Sequence, residues 1–275
     1  MSQNVWRTVN RIVMQVVGAV MVLPLFLMLL TSMKPEAEVL NPENVVPRVW
    51  TVANYLQVIG WAEEAPFGRW FSNSVFVSSA VTLGVILFSA MGAFAIKRLK
   101  VPGGQAFLAI IIASMMVPGQ LFLVPLYLIL SKLHWLDTPA ALIVPATAGG
   151  FGIYMLSQFM EDMPLAIEEA ALLDGCSPAQ LFVHQTLPLC APAISTLAVF
   201  TFIGSWNDFM GPLVFMDSVR NYTLPVGIAL YQTSYYTEYG LTLATSVLAI
   251  APLLFIFAIF QRQIVSSMAA SGLKD

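Results

Sequence analysis

Trp206, Asn207 and Asp208 place an indole, an amide and a carboxylate side by side. An amide and a carboxylate can hydrogen-bond the hydroxyl groups of a sugar, while the apolar face of a sugar ring can pack on an indole. If a membrane-spanning helix begins near Ala191, Asp208 lies about 25 Å along it, in the extracytoplasmic half of the membrane. An ionisable side chain at that depth is costly unless it faces a partner or water. The three residues therefore predict part of a polar substrate pathway. An interfacial tryptophan beside a helix-end aspartate explains them as well.

No catalytic constellation is found elsewhere in the sequence. The phosphate-binding pattern G-x4-G-K-[ST] is absent, so we do not expect this chain to hydrolyse ATP. His134 and His184 lie in different loops that are predicted on opposite faces of a membrane, and neither H-E-x-x-H nor G-x-S-x-G occurs. The sequence therefore predicts no enzyme, no metal site and no cofactor.

The composition predicts an integral membrane protein in contact with lipid. Hydrophobic residues make up 58% of the 275 residues and charged residues 10%, with a mean hydropathy of +0.80, whereas soluble domains carry about 25% charged residues. The net charge of −3 is too small to indicate a nucleic-acid partner. Cys176 and Cys190 imply no disulfide framework.

Six uncharged runs are long enough to cross a bilayer, which takes about 20 helical residues. They predict an all-α membrane protein with six transmembrane helices at 12–33, 70–96, 101–131, 138–160, 185–207 and 239–261. Pro118, Pro125, Pro145 and Pro252 lie inside these runs and predict kinks, because proline removes a backbone hydrogen bond.

The distribution of Lys and Arg predicts the orientation in the membrane. One side collects the basic residues in short segments: Arg7, Arg11, Lys97, Arg98, Lys100, Arg262 and Lys274. Both termini are therefore predicted to be cytoplasmic. The loop after the fourth run has only acidic charges, and alternation of the spans places it in the cytoplasm too.

Residues 163–188 read as two short helices joined by a tight corner. Pro164 suits the first position of the first helix, and Gly175 can end that helix in the left-handed conformation. Ser177, Pro178 and Gln180 fit the N-cap, N1 and N3 positions of the second helix, which is a capping box.

This segment resembles the EAA loop of ABC-importer permeases, the membrane subunits that lack their own ATPase. The resemblance rests on Glu169-Ala170-Ala171, on Gly175 four residues later and on Leu187-Pro188; Gln185 stands where the family has an aliphatic residue. It implies a cytoplasmic helix-turn-helix that docks into a groove on the ATP-binding subunit. The implied coupling residues are Glu169, Ala170, Ala171, Asp174, Gly175, Leu187 and Pro188.

Simple physics gives these residues distinct expected roles. Glu169 can pair with a basic residue of the partner, Ala170 and Ala171 allow close approach, and Gly175 sets the angle between the helices. The apolar part of the docking face is expected from Leu165, Ile167, Leu172 and Phe182. A loop helix lying on the lipid surface is the alternative.

The resemblance extends over nearly the whole chain and is similar to the sugar-importer branch, as the second of two permeases in a maltose-type system. Matching positions include Ser32, Lys34, Asn54-Tyr55, Asn73-Ser74 and Pro118-Gly119-Gln120. It implies an inner-membrane protein that pairs with a second permease as a heterodimer, with an ATP-binding subunit dimer, with an extracytoplasmic solute-binding protein and with a sugar. The expected divisions are 1–70 (first helix and loop), 71–265 (permease core) and 266–275 (cytoplasmic tail).

Two further contacts are implied by the same resemblance. The last extracytoplasmic loop, with Tyr235 and Tyr236, would meet the binding protein, although tyrosines also anchor at membrane interfaces. The tail at 271–275 would contact the ATPase, and Ser267 stands where the family often has glycine.

Other transport functions stay open at this point. The shared motif does not specify the cargo, so a polyol or a glycerol phosphodiester is an alternative to a sugar. An ATP-independent secondary transporter is a further alternative, but such carriers hold charged residues in mid-membrane, and here Asp208 alone approaches that position.

Overall fold

The computed structural model describes residues 3–41, 44–60, 66–231 and 238–272. Throughout these residues the regular structure is helical, without a strand, which confirms the prediction of an all-α chain. Two compact units are present: one comprises residues 1–68 and 227–252, the other 69–226 and 253–275. The expected divisions at 70 and 265 stay predictions.

Fifteen α-helices follow one another along the described residues. They are α1 (Gln3–Ser32), α2 (Glu36–Val39), α3 (Ala53–Gly60), α4 (Phe67–Lys97), α5 (Gly104–Ser114), α6 (Leu123–Lys132), α7 (Pro139–Ala146), α8 (Gly150–Glu161), α9 (Leu165–Leu173), α10 (Pro178–Leu181), α11 (Leu187–Leu189), α12 (Ala191–Trp206), α13 (Met210–Phe215), α14 (Leu224–Ala229) and α15 (Tyr239–Gly272). Short 3-10 turns cover Gly119–Phe122 and Val219–Asn221, and Phe182–Thr186 is π-helical.

Four helical segments are long and apolar enough to cross a membrane: Trp6–Ser32, Phe67–Lys97, Pro139–Glu161 and Tyr239–Ile259. Two further segments qualify only as bent pairs, with α5 and Gly119–Lys132 meeting at 94°, and Pro178–Leu189 and α12 meeting at 74°. The described residues thus hold between four and six spans, and a count of six stays a prediction.

The run 101–131 is broken, although the sequence analysis treated it as one span. The helix ends at Ser114 and resumes after Pro118. Pro118 has no backbone N–H group to donate, and its ring disfavours the helical conformation at the preceding residue, Val117. A similar break at Cys190 precedes Pro192 at the start of α12.

The second unit is built around α4. Its residues 70, 74, 77, 81 and 85 recur every three or four positions and are buried, as expected for one face of a helix. Gly152 of α8 lies against Ser89 of α4 so closely that an added Cβ would be 2.2 Å from the Ser89 Oγ atom. Small residues here let the two helix backbones approach, which is how membrane helices gain packing energy.

In the first unit, polar side chains secure the end of α1. The Asn54 amide donates to the carbonyl oxygens of Ser32 at 2.8 Å and Lys34 at 2.9 Å. The hydroxyl groups of Ser32 and Tyr55 lie 2.6 Å apart. Asn54 thereby satisfies carbonyl groups that a helix leaves unpaired at its C-terminal end.

Glu36 performs the complementary task at the start of α15. Its carboxylate accepts hydrogen bonds from the backbone N–H groups of Tyr239 at 3.0 Å and Gly240 at 2.8 Å. A negative charge is stabilising at a helix N-terminus, where the N–H groups have no partner inside the helix.

In the second unit, Asp137 fixes the chain that follows α13. Its carboxylate accepts hydrogen bonds from the N–H groups of Asp217 at 3.1 Å and Ser218 at 3.0 Å, and from the Ser218 hydroxyl group. The Asn221 amide donates to the Asp137 carbonyl oxygen at 2.8 Å. Asp137 thus fixes the first part of residues 216–224, which we call the 216–224 segment.

The first turn of α4 holds the same segment. The Trp70 indole donates to the Val219 carbonyl oxygen at 2.7 Å, and the Asn73 amide donates to the carbonyl oxygens of Arg220 and Tyr222, both at 2.9 Å. The 216–224 segment is therefore attached to α4 through its own backbone.

The surroundings of Asp137 lower the pKa of its carboxyl group below the ordinary value of 3.8. Desolvation by burial raises the pKa, but the hydrogen bonds from Ser218, Asn221 and Asp217 outweigh it. Because the folded state favours the ionised form, the stabilisation is complete above the ordinary value. It is lost as the pH falls through the lowered pKa.

We expect Asp137→Asn to lower the free energy of unfolding at neutral pH by about 1.5–3 kcal/mol, the range for hydrogen bonds to a charged group. Asparagine tolerates the left-handed backbone of this residue, φ +59°, so the loss reports on the carboxylate. The difference from wild type should shrink below pH 3.8. Thermal unfolding in detergent measures both effects.

Asp217→Asn is the matched control, because Asp217 is exposed in the same segment. Equal unfolding temperatures for the Asp137 and Asp217 variants at neutral pH would contradict this account.

Candidate functional site

The corner within 163–188 is a Schellman motif. Gly175 has a φ of +86°, and its N–H group donates to the Leu172 carbonyl oxygen at 3.1 Å. The Cys176 N–H group donates to the Ala171 carbonyl oxygen, also at 3.1 Å. These two bonds close the end of α9 in the way that a glycine at this position permits.

The second helix starts with the capping box that the sequence predicts. The Gln180 N–H group donates to the Ser177 Oγ atom at 3.3 Å, and the Ser177 N–H group donates to the Gln180 Oε1 atom at 2.9 Å. Pro178 occupies the first turn. Pro164 is the N-cap of α9, one position earlier than predicted. After α10 the chain becomes π-helical, which the sequence did not indicate and which often marks functional sites.

A buried ion pair anchors α9 to the end of α4. The Arg98 Nε atom lies 2.7 Å from the Glu168 Oε1 atom, and each side chain is only 6% exposed. The Arg98 Nη2 atom also donates to the Met160 carbonyl oxygen at 2.7 Å. Arg98 thus binds the C-terminal end of α8 and the first turn of α9 simultaneously.

In the sequence Arg98 is only a signal of membrane orientation, and its pairing with Glu168 is not predicted. Adjacent Glu168 and Glu169 are the signal that could have revealed it. Neighbouring helical residues point about 100° apart, so when Glu169 faces solvent Glu168 is turned toward the bundle. A buried carboxylate then needs a basic partner.

A second ion pair at this end of α4 has one exposed partner. The Lys97 Nζ atom lies 2.6 Å from the Glu161 Oε2 atom, and the Lys97 side chain is 9% exposed whereas the Glu161 side chain is 60% exposed. The Phe182 ring, expected on the docking face, instead packs on Phe94 with ring centroids 5.0 Å apart. Phe182 therefore belongs to the core, because the π-helical turn begins at this residue and its ring faces α4.

The outward face of the corner is apolar with an acidic border. Leu173 is 89% exposed, and Leu165 and Leu172 are about half exposed. The predicted coupling residues Glu169, Ala170, Asp174 and Pro188 are exposed as well, whereas Ala171 is buried and Leu187 is half-buried. Such a surface suits a partner groove that offers apolar contacts and basic side chains.

The predicted pathway trio points in three directions. Trp206 is 2% exposed, with Phe71 edge-on and Phe202 stacked, each with ring centroids 5.7 Å away. The Asn207 amide donates to the Ile203 carbonyl oxygen at 2.9 Å, at the end of its own helix. Asp208 alone of the three lines a cavity.

Asp208 lies between two open cavities of about 260 and 420 Å³. Both cavities are also lined by Leu142 and Ala146, and the larger one by Gln120. Within the described part of the chain no other ionisable side chain lines either cavity. An amide from Gln120, rather than from Asn207, therefore accompanies the carboxylate and supplies the donors that a hydroxylated ligand needs.

Other predicted sites lie beyond the reach of the structure. Tyr235 and Tyr236 are outside the described residues, as are the last three residues of the predicted tail. Across the ranges that are described, no group of three His, Cys, Asp or Glu side chains is placed to hold a metal ion.

Broken apolar helices that lead into a cavity are typical of membrane transport proteins. The chain belongs to the family described as binding-protein-dependent transport system inner membrane component, which matches residues 81–270. This confirms the family predicted from the Glu169 to Pro188 pattern, a multi-pass location in the inner membrane, and a transport component rather than an enzyme.

Named relatives agree with this family. The chain is 30% identical to the arabinooligosaccharides transport system permease protein AraQ of Halalkalibacterium halodurans, covering 94% of this chain and 93% of the relative. It is 35% identical to the sulfoquinovosyl glycerol transport system permease protein SmoH of Agrobacterium fabrum, covering 91% and 88%.

A crystal structure of a bacterial ABC transporter involved in the import of the acidic polysaccharide alginate contains a chain with the same fold. The TM-score is 0.83 at 19% identity, covering 95% of this chain and 98% of the other. At this identity the likeness concerns the fold.

We expect Gly175→Ala to loosen the corner. A Cβ atom would meet nothing within 4 Å, so the cost is the left-handed backbone alone, about 1–2 kcal/mol. Amide hydrogen exchange of residues 163–188 should therefore become faster.

Gly103→Ala is the matched control, since Gly103 has a φ of +79° and equally open surroundings outside the corner. The account is contradicted if residues 163–188 exchange faster in Gly103→Ala, or if their exchange is unchanged in Gly175→Ala. Either result would show that the Schellman geometry does not limit the opening of the corner.

Proposed function

We propose that this chain is one of two membrane subunits of an ATP-driven carbohydrate importer, which transmits motion from a separate ATPase through residues 163–188. The observation that carries the proposal is the outward apolar face around Leu173, held by a buried ion pair. Leu165, Leu172 and Leu173 lie on one short segment and are 49%, 49% and 89% exposed, and a group of exposed apolar side chains marks an interaction site.

The proposed partners are an ATPase, a second permease and a solute-binding protein. Its sequence has no phosphate-binding loop, so ATP must be hydrolysed by another subunit, proposed as a dimer of ATP-binding proteins on the cytoplasmic side. Because Asp208 and its cavities are open on a single chain, a second permease is proposed to complete the pathway as a heterodimer. A solute-binding protein is proposed to dock on the extracytoplasmic side, with Tyr235 and Tyr236 among its contacts.

The cargo proposed for this pathway is a carbohydrate. Sugar hydroxyl groups can donate to the Asp208 carboxylate and exchange hydrogen bonds with Gln120. The names of the relatives point to glycans and glycosides as well. A glycerol phosphodiester is not favoured, because these relatives are named for an oligosaccharide and a glycoside.

We expect Leu173→Asp to weaken binding of the ATPase at least about tenfold, since it places an unpaired charge in an apolar contact worth more than 1.4 kcal/mol. Leu173 is exposed, so the fold should not change. Co-purification of the complex and the affinity of the purified ATPase for reconstituted permeases measure the effect.

Leu99→Asp is the matched control, because Leu99 is 50% exposed at the same end of α4 but outside the corner. If both variants bind the ATPase as wild type does, the corner is not the docking face.

We expect Asp208→Asn to reduce uptake about tenfold or more without affecting assembly, because hydrogen bonds to a charged group contribute about 1.5–3 kcal/mol. Wild-type complex is first tested in vesicles with arabino-, malto- and chitooligosaccharides. The variant is then measured with the sugar that wild type takes up.

Asp217→Asn removes a carboxylate that lines neither cavity and should retain wild-type uptake. Undiminished uptake by Asp208→Asn would exclude Asp208 from the pathway, and uptake of none of these sugars by wild type would contradict a carbohydrate importer of this kind.

A further inference from the structure

Helix α4 is attached at one end to the proposed coupling segment and at the other to the 216–224 segment, which begins the last predicted extracytoplasmic loop. Its first turns hold the 216–224 segment through Trp70, Asn73 and the Ser74 hydroxyl group, which accepts from the Leu224 N–H group at 2.7 Å. Its last residue is followed by Arg98, which holds α9 through Glu168. The 31 residues of α4 extend about 46 Å, so one uninterrupted helix connects the two groups of contacts.

We propose that Arg98 is a positioning residue, whose ion pair with Glu168 makes α9 move as one body with α4 during transport. The inference rests on the proposed function, because it assigns a role to the anchor of the proposed coupling segment. It adds a route by which docking of the binding protein at one end of α4 reaches the ATPase at the other end.

The burial of the pair argues for positioning rather than for stability. Removing two charges from water costs nearly as much as their attraction returns, so buried ion pairs seldom stabilise a fold more than apolar packing would. What the pair does supply is a connection between three helices. Arg98 meets the Glu168 carboxylate with its Nε atom and the Met160 carbonyl oxygen with its Nη2 atom, so one side chain ties α8 and α9 to the end of α4. A lysine has a single nitrogen atom and cannot make both contacts in this way.

The neighbouring ion pair provides an internal comparison. Lys97 and Glu161 are also a cation at the end of α4 and a carboxylate, but Glu161 ends α8 and its side chain is largely exposed. A pair with a solvated carboxylate is weaker than one in which both side chains are buried. Glu161→Gln and Glu168→Gln each remove one negative charge from this end of the molecule. A difference between the two variants is therefore due to the buried pair and not to the loss of charge.

The experiment uses the complete complex of both permeases and the ATPase in nanodiscs. The readout is the rate of ATP hydrolysis with saturating binding protein divided by the rate without it. In Glu168→Gln complexes that still contain the ATPase, we expect stimulation by the binding protein to be lost, so that the ratio falls about tenfold, a usual size for coupling between sites. Glu161→Gln should keep the wild-type ratio.

A structural role alone would reduce assembly or the unstimulated rate and would leave the ratio unchanged. The proposal is overturned if Glu168→Gln keeps the wild-type ratio. If Glu168→Gln does not assemble, Arg98→Lys is measured instead, because it keeps the positive charge and removes the guanidinium group. A wild-type ratio in Arg98→Lys overturns the proposal.

Failure of this inference is distinguishable from failure of the proposed function. If Leu173→Asp releases the ATPase while Glu168→Gln keeps full stimulation, docking stands and the positioning role falls. If Leu173→Asp retains the ATPase, the proposed docking face itself is wrong.

Discussion

The ion pair between Arg98 and Glu168 is the constraint on which the exposed corner depends. Helix α9 has nine residues and α10 has four, and helices this short do not persist in water without packing. The corner has a self-contained cap and stop, but these define only its internal shape. Its attachment to the bundle comes from the buried pair, from the Phe94–Phe182 contact and from the small core residues Ala171 and Cys190.

The breaks in the apolar helices are the second organising feature. Backbone groups in lipid need partners, so a helix can be interrupted only where protein or water replaces the lost hydrogen bonds. The break between α5 and α6 leads into Gly119 and Gln120, and the end of α12 leads into Asp208. The larger cavity is lined by residues that directly follow both interruptions. The interruptions of the helices thus contribute the polar residues Gln120 and Asp208 to the lining of this cavity.

Features that depend on neighbouring residues could be predicted from the sequence better than contacts between distant residues. The capping box at Ser177 and the left-handed Gly175 were read correctly, because each depends on residues within a few positions. Phe182 was assigned to the wrong side, because the π-helical turn that directs its ring toward Phe94 has no clear sequence signature. Trp206, Asn207 and Asp208 were grouped by adjacency, although adjacent residues at a helix end point in different directions.

The sequence by itself determined the membrane location, the helical class and the family, since apolar run length and short motifs are local properties. It also determined the shape of the 163–188 corner. Only the tertiary structure paired Arg98 with Glu168, joined Asp137 to the chain after α13 and brought Gln120 and Asp208 to one cavity. These partners are separated by about 70 to 90 residues, and pairing over such distances is decided by how helices pack, which no local pattern encodes.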